Sequence, residues 1–105
     1  MALQGADIVV VPTAFGAQWG VVSEKVVPAR AFENGVFLCY ANSAGQEGEM
    51  AFNGGSCMIA PDGEELARAG AEPGLIFTWM EKPSVARAQT RLPYFQDRKR
   101  LPWVE

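Results

Sequence analysis

Histidine is absent from the 105 residues, which removes the commonest general base near neutral pH and the commonest transition-metal ligand. Cysteine is scarce: Cys39 and Cys57 are the only two, 18 positions apart and each inside an apolar run, so there is no CxxC motif, zinc knuckle or dense disulfide framework. Both read as reduced, buried, small hydrophobes. Neither has the helix N-terminus or neighbouring cation and base in sequence that would lower a thiol pKa for nucleophilic work. Long apolar runs are missing too, none approaching the roughly 18 to 20 residues of a membrane span. Residues 1–5 lack the basic start and long apolar core of a signal peptide. The sequence therefore reads as soluble and cytoplasmic, with no membrane partner.

Phosphate-binding and hydrolase signatures are also lacking. There is no GxxxxGK[ST] loop and no GxGxxG, and Gly54-Gly55-Ser56-Cys57 only superficially resembles a GxSxG elbow, because Ser56 enters a strand. No cofactor is expected. Glu47 and Glu49 form a carboxylate pair, but within a glycine-rich stretch they read as a solvated turn, and without histidine no metal site is expected.

What is present is a 49% hydrophobic, 20% charged composition, suited to one small folded unit. The net charge of −3 hides an asymmetry: residues 1–81 hold three basic and ten acidic side chains, residues 82–105 six basic and two acidic. Residues 92–105 are therefore read as a basic, aromatic tail distinct from residues 1–91. Arg98-Lys99-Arg100, interleaved with Tyr94, Phe95 and Trp103, has the elements of a nucleic-acid stripe. Against an acidic chain it reads instead as a segment that docks on an acidic partner surface, and no nucleic-acid partner is expected.

Ile8-Val9-Val10-Val11 before Pro12, and Val36-Phe37-Leu38-Cys39-Tyr40-Ala41, are apolar on both alternating faces, the pattern of strands covered on both sides in an α/β sheet; the second should be central. Residues 1–4 before Gly5 look like the last turn of a helix. Between the strands, residues 13–20 form a loop, and Ser23 caps a helix running to Glu33, kinked at Pro28 and closed by Asn34-Gly35. Residues 42–55 read as a polar loop and residues 56–60 as a third strand, stopped by the turn Pro61-Asp62-Gly63-Glu64. Residues 66–69 and 74–80 supply two more strands, and Pro83 opens a final helix that Leu92-Pro93 ends.

In order along the chain, Leu3-Gln4-Gly5-Ala6-Asp7 with Val9-Val10-Val11-Pro12-Thr13-Ala14, then Pro28-Ala29-Arg30-Ala31-Phe32-Glu33-Asn34, then Tyr40-Ala41-Asn42, then Gly54-Gly55-Ser56 with Pro61-Asp62-Gly63, resembles the carbon-nitrogen hydrolase (nitrilase) superfamily, in its amidase-like branches. The resemblance implies the C-terminal part of a four-layer αββα sandwich, incomplete in this chain. It implies a parent enzyme that hydrolyses a small amide or nitrile to carboxylate and ammonia through a Cys thioester, with a Glu–Lys–Cys triad. The three catalytic positions are expected upstream of Met1, so no catalytic residue is assigned here and the chain alone is expected to be inactive. Thr13, Phe15 and Trp19, just past the first strand, are the expected substrate-binding residues. Arg30, Glu33 and Asn34 are expected to brace the helix. That helix, over residues 23–33, and the tail are expected to join copies in a homo-oligomer. The alternative is a truncated, non-catalytic module for dimerisation or partner binding.

Overall fold

Two runs of β-branched, aromatic and other apolar residues form adjacent strands of the sheet, the first at its edge and the second inside it. In the computed structural model, which describes residues 5–91, β1 spans Ile8–Thr13 and β2 spans Phe37–Asn42. They pair in parallel, with Ile8 opposite Phe37 and Thr13 opposite Asn42. A parallel pair needs a long crossover, here a 3₁₀ turn at Ala17–Trp19, a π-helical turn at Val22–Val26 and helix α1 at Val27–Asn34.

Ser23 does not cap this helix. It is buried, and its hydroxyl donates to the Gly55 carbonyl. Pro28 stands inside a continuous helical run, since Val21, Val26 and Val27 before it are all in αR, so its missing N–H removes one ladder bond; the π-helical turn just before it, where the Val27 N–H reaches back to the Val22 carbonyl, widens the helix by one residue at that point. Gly35 then ends α1 in a left-handed conformation, φ +61°. Arg30 and Glu33 meet on the solvent side at 3.4 Å, and the Asn34 amide donates to the Arg30 carbonyl. That is a local surface pair more than a brace between elements.

Residues 42–55 are more ordered than the expected loop: β3 (Ala44–Glu47) and β4 (Met50–Asn53) make a hairpin, turned at Gly48 with φ +58°. Strand β5 (Cys57–Ile59) returns antiparallel to β2, and β6 (Glu65–Arg68) pairs with β5, giving the sheet order β1-β2-β5-β6. The intervening turn is as read: Asp62 Oδ1 accepts from the Glu64 N–H, and Gly63 has φ +86°. Helix α2 spans Pro83–Arg91. Residues 74–80 belong to no strand, contrary to expectation. Their alternating side chains find no ladder among the described residues, and Leu75, Phe77 and Trp79 are 85%, 80% and 93% exposed.

Alternation along the strands sorts the core into two faces. Leu38, Tyr40, Cys57 and Ile59 pack against Val27 and Ala31 of α1, with Val11, Phe15 and Val22 alongside. On the other face Phe37 and Ala60 meet Val85 of α2, flanked by Leu66 and Met80. β2 is central, as its composition predicts, but β1 is not covered on both sides: Ile8 and Val10 are 48% and 61% exposed, because α2 shields the sheet only near Phe37. The first four residues and the tail, with Leu92-Pro93, Tyr94, Phe95, Arg98-Lys99-Arg100 and Trp103, lie outside the described residues.

Candidate functional site at the strand ends

The carboxyl ends of β1 and β2 lie side by side, the position at which open α/β sheets gather ligands. Thr13 is the last residue of β1 and sits opposite Asn42, the last of β2. Its hydroxyl donates to Asn42 Oδ1 at 2.9 Å, and the Phe15 N–H donates to the same oxygen at 2.8 Å. The Asn42 amide nitrogen donates to the carbonyls of Gly54, at 2.9 Å, and Phe15, at 3.3 Å. The Asn53 N–H also donates to the Phe15 carbonyl, and the Ser43 N–H to the Thr13 carbonyl. The loop leaving β1 is thus tied to β2 and to the β3–β4 hairpin.

Of the three residues expected at this site, Phe15 and Trp19 come together, with ring centroids 6.4 Å apart in a tilted arrangement. Phe15 leans on the core, while Trp19 is half exposed. Thr13 differs in kind, since its hydroxyl is engaged with Asn42. Sequence reasoning used Asn42 and Ser56 only as parts of segments. The signal that could have singled them out is a polar side chain ending an apolar strand, beside a Gly-Gly pair: Ser56 Oγ accepts from the Asn42 N–H at 2.9 Å, and Gly54 and Gly55 have φ of +66° and +65°.

A cleft of about 210 Å³ opens beside this network, lined by Asn42, Ala44, Gly54, Ser56 and Glu72 among others. A cleft of about 290 Å³ lies at the opposite end of β2, between α2 and the turn after β5. Strand polarity favours the first location for ligand chemistry.

Neither thiol has the setting of a nucleophile. Burial pushes the Cys39 thiol up. At Cys57, with no exposed surface, burial again pushes the thiol up, outweighing the nearby Arg68 guanidinium and Ser23 hydroxyl, which act downward. Glu47 and Glu49 are exposed around the β3–β4 turn. Among the described residues no group of three or more Cys, Asp or Glu is placed to hold a metal ion, and no helix is long and apolar enough to cross a membrane.

The carbon-nitrogen hydrolase family profile matches residues 1–89, and the chain belongs to that family. It is 34% identical over 99 residues to "Hydrolase in pqqF 5'region" of Pseudomonas protegens, covering 94% of this chain and 35% of that protein. It is 32% identical over 101 residues to deaminated glutathione amidase of Mus musculus, covering 94% of this chain and 31% of that one. Among solved structures it superposes on the amidase of Nesterenkonia sp. AN1 with a TM-score of 0.78 and 39% identity, over 94% of this chain and 35% of the amidase. The chain therefore spans about a third of the length of the relatives it matches, and its α/β sheet is a partial nitrilase-superfamily fold. One structure of that amidase, a cysteine-to-alanine variant, is a complex with butyramide; another carries the acetamide moiety of fluoroacetamide on the active-site cysteine.

Proposed function

We propose that these residues form part of an enzyme that hydrolyses a small amide to its carboxylate and ammonia. In that reaction a thiolate attacks the amide carbon, the amine leaves protonated as ammonia, and water hydrolyses the resulting thioester, returning the thiol. None of the described residues takes the nucleophile's role. Cys39 and Cys57 are strand residues with raised pKa. The contribution of this chain is a wall of the substrate pocket, with Phe15 and Trp19 as its apolar surface and Thr13 holding the loop beneath.

The observation that carries the reading is the 39% identity, over nearly the whole chain, to an amidase solved in complex with butyramide. It is supported by the meeting of Phe15 and Trp19 at the strand ends. Association of copies through the helical connection is part of the same proposal, supported by the exposure of Val21, Val26 and Phe32 on its outer side.

The test is ammonia release from butyramide and acrylamide by the full-length native polypeptide that contains these residues, with and without Phe15→Ala. Loss of a wall that touches substrate equally before and during reaction should raise KM about tenfold and leave kcat within about threefold. An unchanged KM would remove Phe15 from the pocket, and no release from any small amide or nitrile would overturn the reading.

A further inference from the structure

We propose that Asn42 is a positioning residue that fixes the backbone of residues 13–15 and thereby sets where the Phe15 side of the amide pocket stands. This inference rests on the amidase reading above. Its basis is that the Asn42 side chain makes four hydrogen bonds, one to the last residue of β1 and two to the loop leaving it. It accepts from the Thr13 hydroxyl and the Phe15 N–H and donates to the Phe15 carbonyl; the fourth bond goes to the Gly54 carbonyl. Only a primary amide offers two acceptor sites and two donors in one planar group. Aspartate keeps the two accepted bonds and loses both donated ones, turning a negative oxygen toward two carbonyls.

The surroundings hold Asn42 itself in place. Its backbone N–H donates to Ser56 Oγ at 2.9 Å, and Ser56 Oγ donates to its carbonyl at 3.2 Å. The Gly54 carbonyl is presented by a backbone at φ +66°, where an added Cβ would stand 2.7 Å from the Gly70 carbonyl oxygen, so glycine is required there for the close approach. Thr13 and Asn42 also face one another in the β1–β2 register. Strand pairing, side-chain amide and glycine turn converge on one short loop, and without the amide the Phe15 N–H loses its partner.

The experiment compares wild type, Asn42→Ala, Asn42→Asp and Gln89→Ala. Gln89 donates to the Gly35 carbonyl behind α1, remote from the loop, and controls for a general loss of stability. With butyramide as the probe and the full-length native polypeptide as the enzyme, Asn42→Ala should raise KM about tenfold with kcat within about threefold, the pattern of lost uniform binding. Asn42→Asp should fall between it and wild type, and Gln89→Ala should leave KM unchanged. In parallel, amide hydrogen exchange at Phe15 should quicken at least about tenfold in Asn42→Ala, while Leu38 and Ile59 in the β2–β5 ladder keep their protection. Unchanged KM with unchanged Phe15 exchange overturns the proposal, as does an equal KM shift in Gln89→Ala. If wild type hydrolyses no amide, the amidase reading fails and Phe15 exchange alone decides the positioning role. If Asn42→Ala does not fold, Asn42→Asp carries both readouts.

Discussion

Arg68 joins parts of the chain 45 positions apart. Its guanidinium donates to the hydroxyl and the carbonyl of Ser23 and to the Gly55 carbonyl, and pairs with Glu65. One planar cation therefore locks the π-helical turn onto the start of β5, a geometry that lysine cannot reproduce. Arg68→Ala should cost about 2 to 3 kcal/mol in urea unfolding, because hydrogen bonds to a charged, partly buried group are lost and Ser23 stays buried. Arg68→Lys should recover less than half of that. The two thiols give a second prediction. Both pKa values are raised by burial in the folded chain, so the folded state holds these protons more tightly than the unfolded one. The stability this contributes is complete below the unfolded thiol pKa and is lost as pH rises through the folded value. The urea midpoint should therefore fall above about pH 9, and less steeply in Cys57→Ala. At pH 7 Cys39 should be alkylated more slowly than a free thiol, and Cys57 should not react until the chain unfolds.

At the scale of elements, the two glycine-dependent turns differ in what surrounds them. A Cβ at Gly35 would meet Gln89 Cγ at 2.9 Å, whereas one at Gly48 would meet nothing within 4 Å. Both positions have positive φ, so Gly48→Ala should cost about 1 kcal/mol of backbone strain alone. Gly35→Ala should cost more, through displacement of α2 as well; thermal midpoints of the two variants check the order. These elements also show how far the sequence reached. The apolar runs of β1 and β2, the Asn34-Gly35 stop, the Pro61–Glu64 turn and the proline start of α2 are local signals, and each element stands where its signal put it. Ser23 has the local sequence of a cap, but its hydroxyl bonds a carbonyl 32 positions away, a contact that local sequence does not carry. Residues 74–80 alternate like a strand, but a strand exists only with a partner, and pairing is not a local property. The meeting of Phe15 and Trp19 follows from nearby residues. The Asn42 network depends on contacts 27 positions distant and becomes visible only when β1 and β2 are paired.

For the molecule as a whole, the uncovered apolar surface dominates. Ile8 and Val10 on the open sheet face, together with Leu75, Phe77 and Trp79, leave large side chains in water. Burying each would contribute about 1.5 to 3 kcal/mol, a driving force for association. The 105-residue chain on its own should therefore associate, giving dimers or larger species in light scattering across a concentration series. Val10→Lys combined with Phe77→Lys should shift it toward monomer, and a wild-type monomer at every concentration would contradict this. The Nesterenkonia amidase has an active-site cysteine, and the proposed function gives that role to neither Cys39 nor Cys57. The most direct measurement is ammonia release from butyramide by two samples: the 105-residue chain alone, and the same residues following the amino-terminal two thirds of the Nesterenkonia amidase. Release by the joined polypeptide, none by the chain alone, and no effect of Cys39→Ala on the joined protein are the predicted results. Turnover by the chain alone that disappears on replacing Cys39 or Cys57 would contradict the account.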